Sequence, residues 1–396
     1  MTTLGRDDDA YDNPGDAYTA HAAAGPLSGI RVLEFASLAP APFACTLLCD
    51  LGADVLRIVN PADRGPTARP HPGDPLDRGR AVAALDLKQP GAASTALDLA
   101  ARADVLVEGL RPGVMERLGL GPQVCLEHNP RLVYARMTGW GQDGPLSARA
   151  GHDLNYLALS GALEHLGPFD GPPAPPLNYV ADFGGGGMLL AVGVLAALVE
   201  RERSGRGQVV DAAMSDGAAL LGGVVHGLRA RGLWGEQRGG NLLDGSAPFY
   251  TTYTCADGRF VAVGAIEPQF YAQLIDLLGL GDRIDPAGQH DRGAWPETRR
   301  LLARTFATRP RDEWSWLFAG SDACVTPVLT PWEAPDHPHN EARGTFTTVA
   351  GYVQPSPAPR FSRTPAAVPL PPHTVDPDEH WPRTGSAGAS GSPSVG

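Results

Sequence analysis

Lysine is all but missing from this 396-residue chain: Lys88 is the only one, and arginine supplies the rest of the 32 basic residues. Against 44 acids the formal charge is −12, a field that repels nucleic acid and anionic membrane surfaces. An anionic ligand would need a local basic pocket working against it. Cysteine is sparse too. Cys45, Cys49, Cys125, Cys255 and Cys324 are scattered, and no CxxC or histidine partner beside the Cys45/Cys49 helical pair completes a metal site. They read as buried free thiols in a reducing, cytoplasmic setting. No signal peptide opens the chain, and no apolar run reaches the roughly 20 residues of a membrane span. Nucleic acid, membrane and metal are therefore not expected as partners.

What is present is the balance of a folded chain, 43% hydrophobic and 19% charged, long enough for two domains. Residues 1–25 are polar and Ala/Gly-rich and read as a disordered leader. From 26 to 212, short apolar runs (IRVLEF at 30–35, ADVLRIV at 53–59, 81–87, 105–108, RLVYARMT at 131–138) alternate with helical stretches. That spacing predicts an α/β, Rossmann-like βαβ domain with a mostly parallel sheet. Residues 333–372 are expected to complete it. A connector at 213–245 leads to a smaller α+β domain at 246–329, opened by a hairpin around Asp257-Gly258 (TTYTCADGRFVAVG). The Ser/Gly/Pro-rich stretch 373–396 reads as a disordered tail.

Chemistry concentrates in residues 151–188, GHDLNYLALSGALEHLGPFDGPPAPPLNYVADFGGGGM. His152 and Asp182 stand on either side of a Pro/Gly-rich loop, and Asp182 precedes four glycines and a long apolar helix. Glycines leave room for close approach of a ligand or a packed helix, and a helix starting just beyond Asp182 would supply unpaired N–H groups. The run lacks the GxGxxG spacing of a dinucleotide site. Taken alone, His152 fits a surface turn as well as an acid–base role. Asp182 fits a helix cap, and Glu267, in AIEPQF, fits a helix-N-terminal acid ahead of Pro268.

Twelve motifs in order remove that ambiguity: GPLSGIRVLEFA, LGADVLRI, LDLK, VLVEGLRPGVMERLGLGP, ARMTGWGQDGP, AGHDLNY, DFGGG, GQVVDAAM, NLLDGSAPFY, AIEPQFY, HPHNEARGTF and QPSPAPRFSRTP. Through them, over about residues 26–372, the chain resembles the α-methylacyl-CoA racemase branch of the family III CoA transferases (CaiB/BaiF type). The resemblance implies the family fold, an interlocked homodimer, and an acyl-CoA or other acyl thioester as substrate. No separate cofactor or metal is implied, since CoA enters as part of the substrate.

The same resemblance assigns roles. His152 and Asp182 become the two acid–base groups facing the substrate α-carbon from opposite sides, with Glu267 paired to the histidine, in cis or from the other subunit. The Asp153 N–H would hold the enolate oxygen, and Asn178 would orient Asp182. CoA would lie along Arg57, Asp86, Leu87, Lys88, Gly109, Leu110, Arg111 and Arg117, with Gly151, Asp153, Asn155 and Tyr156 near the thioester. Two departures, Val59-Asn60 and Ala81, are expected on the nucleotide-phosphate side and imply a weaker grip on the 3′-phosphate or a different acyl carrier. The rival reading is a family III CoA transferase with Asp182 as nucleophile. A third is a catalytically retired acyl-thioester-binding homologue. Retention of His152, Asp182 and Glu267 together favours the racemase.

Overall fold

The computed structural model describes residues 25–63, 70–366 and 369–383. The expected leader lies outside the described residues except for Gly25. The chain forms two compact units, one drawn from Met1–Arg149, Gly186–Ala213 and Gly344–Gly396, the other from Ala150–Gly185 and Met214–Arg343. The division departs from the expected boundaries. Residues 150–185 and most of the 213–245 connector join the smaller unit, because helix Asp153–Ser160 packs on helix Met214–Leu221. The segment completing the larger unit begins at Gly344 rather than at 333.

In the first unit, β1 (Arg31–Phe35), β2 (Asp54–Val59), β3 (Ala81–Ala84), β4 (Val105–Glu108), β5 (Val133–Thr138) and β6 (Val209–Ala213) form a parallel sheet in the order β3-β2-β1-β4-β5-β6. Sheets covered on both faces favour near-continuous apolar strands, which is what IRVLEF and VLVE supply. One face carries Leu33, Phe35, Leu56, Ile58, Leu106 and Tyr134 against buried helix residues including Ala96, Leu99 and Met115. On the other, helix Pro40–Asp50 lies against β1, β2 and β4, and helix Leu189–Ser204 against β5 and β6.

Strand order reverses between β1 and β4. Ligands of open α/β sheets bind beyond the carboxyl ends of the strands at such a point. The loops leaving β1 and β4 there approach closely: a Cβ on Gly109 would lie 2.5 Å from Ser37 Oγ.

The apolar run at Tyr179 is longer than expected. Tyr179–Ser204 is a continuous 26-residue helix, long and apolar enough by length and composition to cross a membrane, which corrects the reading that no such run exists. Its Leu190, Val194, Ala197 and Leu198 are buried.

The expected disordered tail is also corrected. His373–Thr374 adds a seventh parallel strand beside β3, pairing with Ala81 and Val82. A helical turn, Pro377–His380, then seats Trp381 in the sheet's apolar cluster, where it is 0% exposed. Its indole N–H donates to Asp54 Oδ2 at 2.6 Å, and His380 Nε2 lies 2.8 Å from Asp54 Oδ1. Apolar packing of one large ring, with a carboxylate for its polar edge, outweighs the low-complexity composition around it. Residues 384–396 lie outside the described residues.

The second unit holds the expected hairpin, β7 (Tyr250–Thr254) and β8 (Phe260–Gly264), with β9 (Val325–Pro327) antiparallel to β8. Its core gathers aromatics: Phe249, Tyr253, Tyr271, Trp295, Phe306 and Trp314.

Candidate active site

His152 is the N-cap of helix Asp153–Ser160, in extended backbone just before the first turn. Its N–H donates to the Asn155 carboxamide oxygen at 3.0 Å, the reciprocal half of a capping box. Tyr156, buried, donates its hydroxyl to the Gly151 carbonyl at 2.5 Å. Gly151, Asn155 and Tyr156 thus act together to hold the turn that presents the exposed imidazole. The first N–H groups of this helix have no intrahelical acceptor, so the Asp153 N–H is of the kind that can serve an oxyanion.

The Asp153 side chain does something else. It is 5% exposed, and its Oδ2 accepts the backbone N–H groups of both Ala181 and Asp182 at 2.8 Å. The residue next to the imidazole therefore anchors the segment that bears the second candidate acid. Sequence reasoning assigned Asp153 only a backbone role. An acid after the histidine was visible in GHDLNY, but its partner lies 28 residues on, beyond any local pattern.

Asp182 sits inside a wide helix, Tyr179–Met188, whose turns close on the fifth residue, as in the Phe183 N–H to Asn178 carbonyl bond of 3.3 Å. The helix starts before Asp182, not after it, which corrects the expected placement; such wide turns are frequent at functional sites. Asn178 Nδ2 donates to Asp182 Oδ2 at 3.4 Å. The glycines that follow serve packing: a Cβ on Gly217 would fall 1.8 Å from the Gly185 carbonyl oxygen. Helix Met214–Leu221 thus crosses the wide helix backbone to backbone.

Electrostatics join the two candidate groups. Burial pushes the Asp182 carboxyl above the ordinary carboxylate range, and the Asp153 charge pushes it further. The Asn178 hydrogen bond and the His152 charge pull it back without cancelling the rise. The Tyr156 hydroxyl is raised in turn by burial and by the Asp182 charge. An imidazole beside a carboxyl biased toward its protonated form has what acid–base exchange at one carbon requires.

Glu267 lies in the same unit, exposed, as the N-cap of helix Pro268–Leu277. Within one chain its charge acts on the Cys324 thiol, which burial raises first and Glu267 second. An ion pair from Glu267 to His152 is not among those of the described residues.

The residues expected to hold CoA fall in the first unit, mostly past the carboxyl ends of β3 and β4. Lys88, Arg111 and Arg117 are exposed. Asp86 accepts from the Lys88 N–H and from Gln89 Nε2, closing a turn. Leu87 and Leu110 are partly buried against the sheet cluster, and the Leu110 N–H donates to Glu108 Oε2 at 2.8 Å. Two expectations are corrected. Arg57 is 2% exposed, its guanidinium bonded to Asp77 and 3.8 Å from Glu34, so its charge is spent inside the sheet rather than offered to a phosphate. Ala81 belongs to the apolar cluster at the amino end of β3, the far end from Asp86–Lys88. A missing basic residue there takes nothing from a surface beyond the carboxyl ends. Asn60, past the end of β2, is exposed, and its side-chain oxygen accepts the Ala62 N–H.

Sheet order and site together define the class: the chain belongs to CoA-transferase family III, whose family model matches residues 27–379. Within that class, mouse α-methylacyl-CoA racemase is 50% identical over 341 residues, 86% of this chain and 87% of the mouse protein. The human α-methylacyl-CoA racemase is 48% identical over the same shares. The crystal structure of a CaiB/BaiF family protein from Brucella suis matches with a TM-score of 0.73 at 25% identity, covering 87% of this chain and 95% of that one.

Proposed function

We propose that this protein is an enzyme that inverts the α-carbon of 2-methylacyl-CoA or a related acyl thioester by proton transfer. The observation that carries the reading is the anchoring of Asp182 to Asp153, one residue from His152. It brings an imidazole and a protonation-prone carboxyl into electrostatic contact. One group takes the α-proton, the thioester carbonyl becomes an enolate, and the other group returns a proton to the opposite face. A proton α to a thioester is weakly acidic, so the enolate oxygen must be stabilised as the base acts. The Asp153 N–H is the donor assigned to it, a role typically worth about 10²–10³ in rate. The step balances without a redox partner, and CoA enters only as part of the substrate.

Glu267 completes the proposal as the partner of His152, supplied by a second subunit of a homodimer. The CoA portion is assigned to Asp86–Lys88, Gly109–Arg111 and Arg117, and the location to the cytoplasm. The family model's own description keeps a CoA-transferase reading open, with Asp182 as nucleophile. A nucleophilic carboxylate has no need of a general-base histidine, so His152 favours proton transfer.

Turnover of each epimer of a 2-methylacyl-CoA in D₂O, followed by mass spectrometry and chiral analysis, tests the proposal. Deuterium at the α-carbon of both epimers is expected, with inversion abolished in His152→Ala and in Asp182→Asn. A hydroxylamine-trappable acyl-enzyme at Asp182, without α-deuteration, would establish the transferase instead.

A further inference from the structure

The backbone is held on both sides of Glu267. After it, the Phe270 and Tyr271 N–H groups both donate to the Glu267 carbonyl at 3.0 Å, which ties the residue to helix Pro268–Leu277. Its carboxylate makes no capping bond to that helix and is left to serve another group. Before it, the ladder of β8 ends at Gly264, opposite Tyr250. The next two carbonyls, Ala265 and Ile266, lie past the sheet and need donors from elsewhere. One side chain supplies both. Gln289 Nε2 donates to the Ala265 carbonyl at 3.0 Å and to the Ile266 carbonyl at 2.8 Å.

Gln289 is built into that place. It is 3% exposed, and the Trp295 indole N–H donates to its backbone carbonyl at 2.9 Å. The clamp has a cost: Gln289 Oε1 is buried with no partner among the described residues, and native proteins keep few such atoms without reason. Turning the amide over would set that oxygen against two carbonyl oxygens, so only one orientation fits. A second contact braces the same turn. Cys324, left-handed at φ 53°, accepts the Gly264 N–H on its carbonyl at 2.9 Å, and its thiol feels the Glu267 charge. That thiol reports where the carboxylate lies.

We propose that Gln289 is a positioning residue for Glu267: its amide nitrogen, bridging the Ala265 and Ile266 carbonyls, sets the direction in which the Glu267 carboxylate is presented to His152. This inference rests on the assignment of Glu267 as the partner of His152.

Gln289→Met keeps the length and the apolar stem and removes both donors. The kcat for inversion of a 2-methylacyl-CoA is expected to fall by up to roughly a hundredfold, as for a group misplaced by about 1 Å, with KM unchanged. In the Glu267→Gln background the same change should add nothing, because the brace acts through that carboxylate. Gln289→Asn, one methylene shorter and able to keep one carbonyl at most, should fall between, and it carries the test if Gln289→Met does not fold. Additive losses in the double variant would mean that Gln289 merely holds the fold, and would overturn the proposal. Alkylation of Cys324, the one exposed cysteine, by iodoacetamide across pH judges the brace apart from catalysis. Its midpoint should move down in Gln289→Met as in Glu267→Gln, since a displaced carboxylate no longer opposes the thiolate. A midpoint unchanged in Gln289→Met overturns the brace. Inversion at the wild-type rate in Glu267→Gln sinks the pairing with His152 instead, and the thiol then decides the brace alone.

Discussion

The carboxylate of Asp153 and the backbone N–H of Asp182 are joined at 2.8 Å, so the segment bearing one candidate acid hangs from the residue beside the other. The same carboxylate also acts through space, raising the Asp182 carboxyl. Asp153 thus fixes the position of Asp182 and adds to the rise that burial begins. Two substitutions separate them. Asp153→Asn keeps an oxygen able to accept both N–H groups but removes the charge. The Asp182 carboxyl should fall, and the pH–rate limb it governs should move to lower pH, with kcat reduced only modestly. Asp153→Ala removes the acceptor as well, and a displacement of about 1 Å can cost roughly 10²-fold in kcat. Equal pH profiles in wild type and Asp153→Asn would show that the charge plays no part.

Asp182 should also weaken the fold it serves. Burial first, and Asp153 second, raise its carboxyl, so the native state binds more protons than the unfolded one between the two pKa values. Unfolding free energy then falls as pH rises through that window. At neutral pH the ionised side chain is a net cost, and below the ordinary carboxyl range the cost vanishes. Asp182→Asn is accordingly expected to raise Tm at pH 7 to 8 and to leave it unchanged near pH 3, while abolishing inversion at the α-carbon. Calorimetric scans across pH would show a constant offset instead if the gain came from packing.

Gly185 and Gly217 explain a run of glycines that composition alone makes look like a ligand loop. A Cβ at Gly217 would sit 1.8 Å from the Gly185 carbonyl oxygen, with backbone on both sides and nothing flexible to yield. Gly217→Ala is expected to destabilise by about 1–3 kcal/mol or more and to reduce activity by shifting the wide helix. Gly227, inside helix Gly223–Ala230 with nothing within 4 Å of its would-be Cβ, is the control. Gly227→Ala should stabilise by up to about 1 kcal/mol, the difference in helix propensity. Urea midpoints of the two variants should move in opposite directions.

The sheet was legible because parallel strands are apolar along their whole length, and IRVLEF or VLVE can be little else. The roles expected of His152, Asp182 and Asn178 came from motifs carried by the family resemblance, not from any local pattern. What escaped was tertiary. The bond from Asp153 to Asp182 spans 29 residues and leaves no periodicity. The wide helix depends on hydrogen bonds closing one residue late, so the start before Asp182 had no local signal. Arg57 reads as a ligand-facing cation until β1 and β2 are paired and Glu34 is found opposite it. The tail misled for a compositional reason, since a single Trp381 sets its order against a background of Pro, Ser and Gly.

That tail offers the sharpest stability test. Trp381 is wholly buried, and its ring lies under the Arg31 guanidinium, 5.8 Å from the centroid. Trp381→Ala should cost about 3–5 kcal/mol, the usual range for emptying an aromatic site, and release the strand His373–Thr374 from β3. Asp54 makes the contact pH-dependent. Burial opposes its ionisation, but hydrogen bonds from His380 and Trp381 and the His380 charge outweigh it, so its carboxyl sits below the ordinary range. A depressed carboxyl contributes stability above the unfolded pKa and loses it as pH falls through the folded one. Hydrogen exchange at His373–Thr374 should therefore accelerate in acid in the wild type and be fast at all pH in Trp381→Ala. Slow, pH-independent exchange in Trp381→Ala would mean that the strand holds to the sheet edge without its anchor.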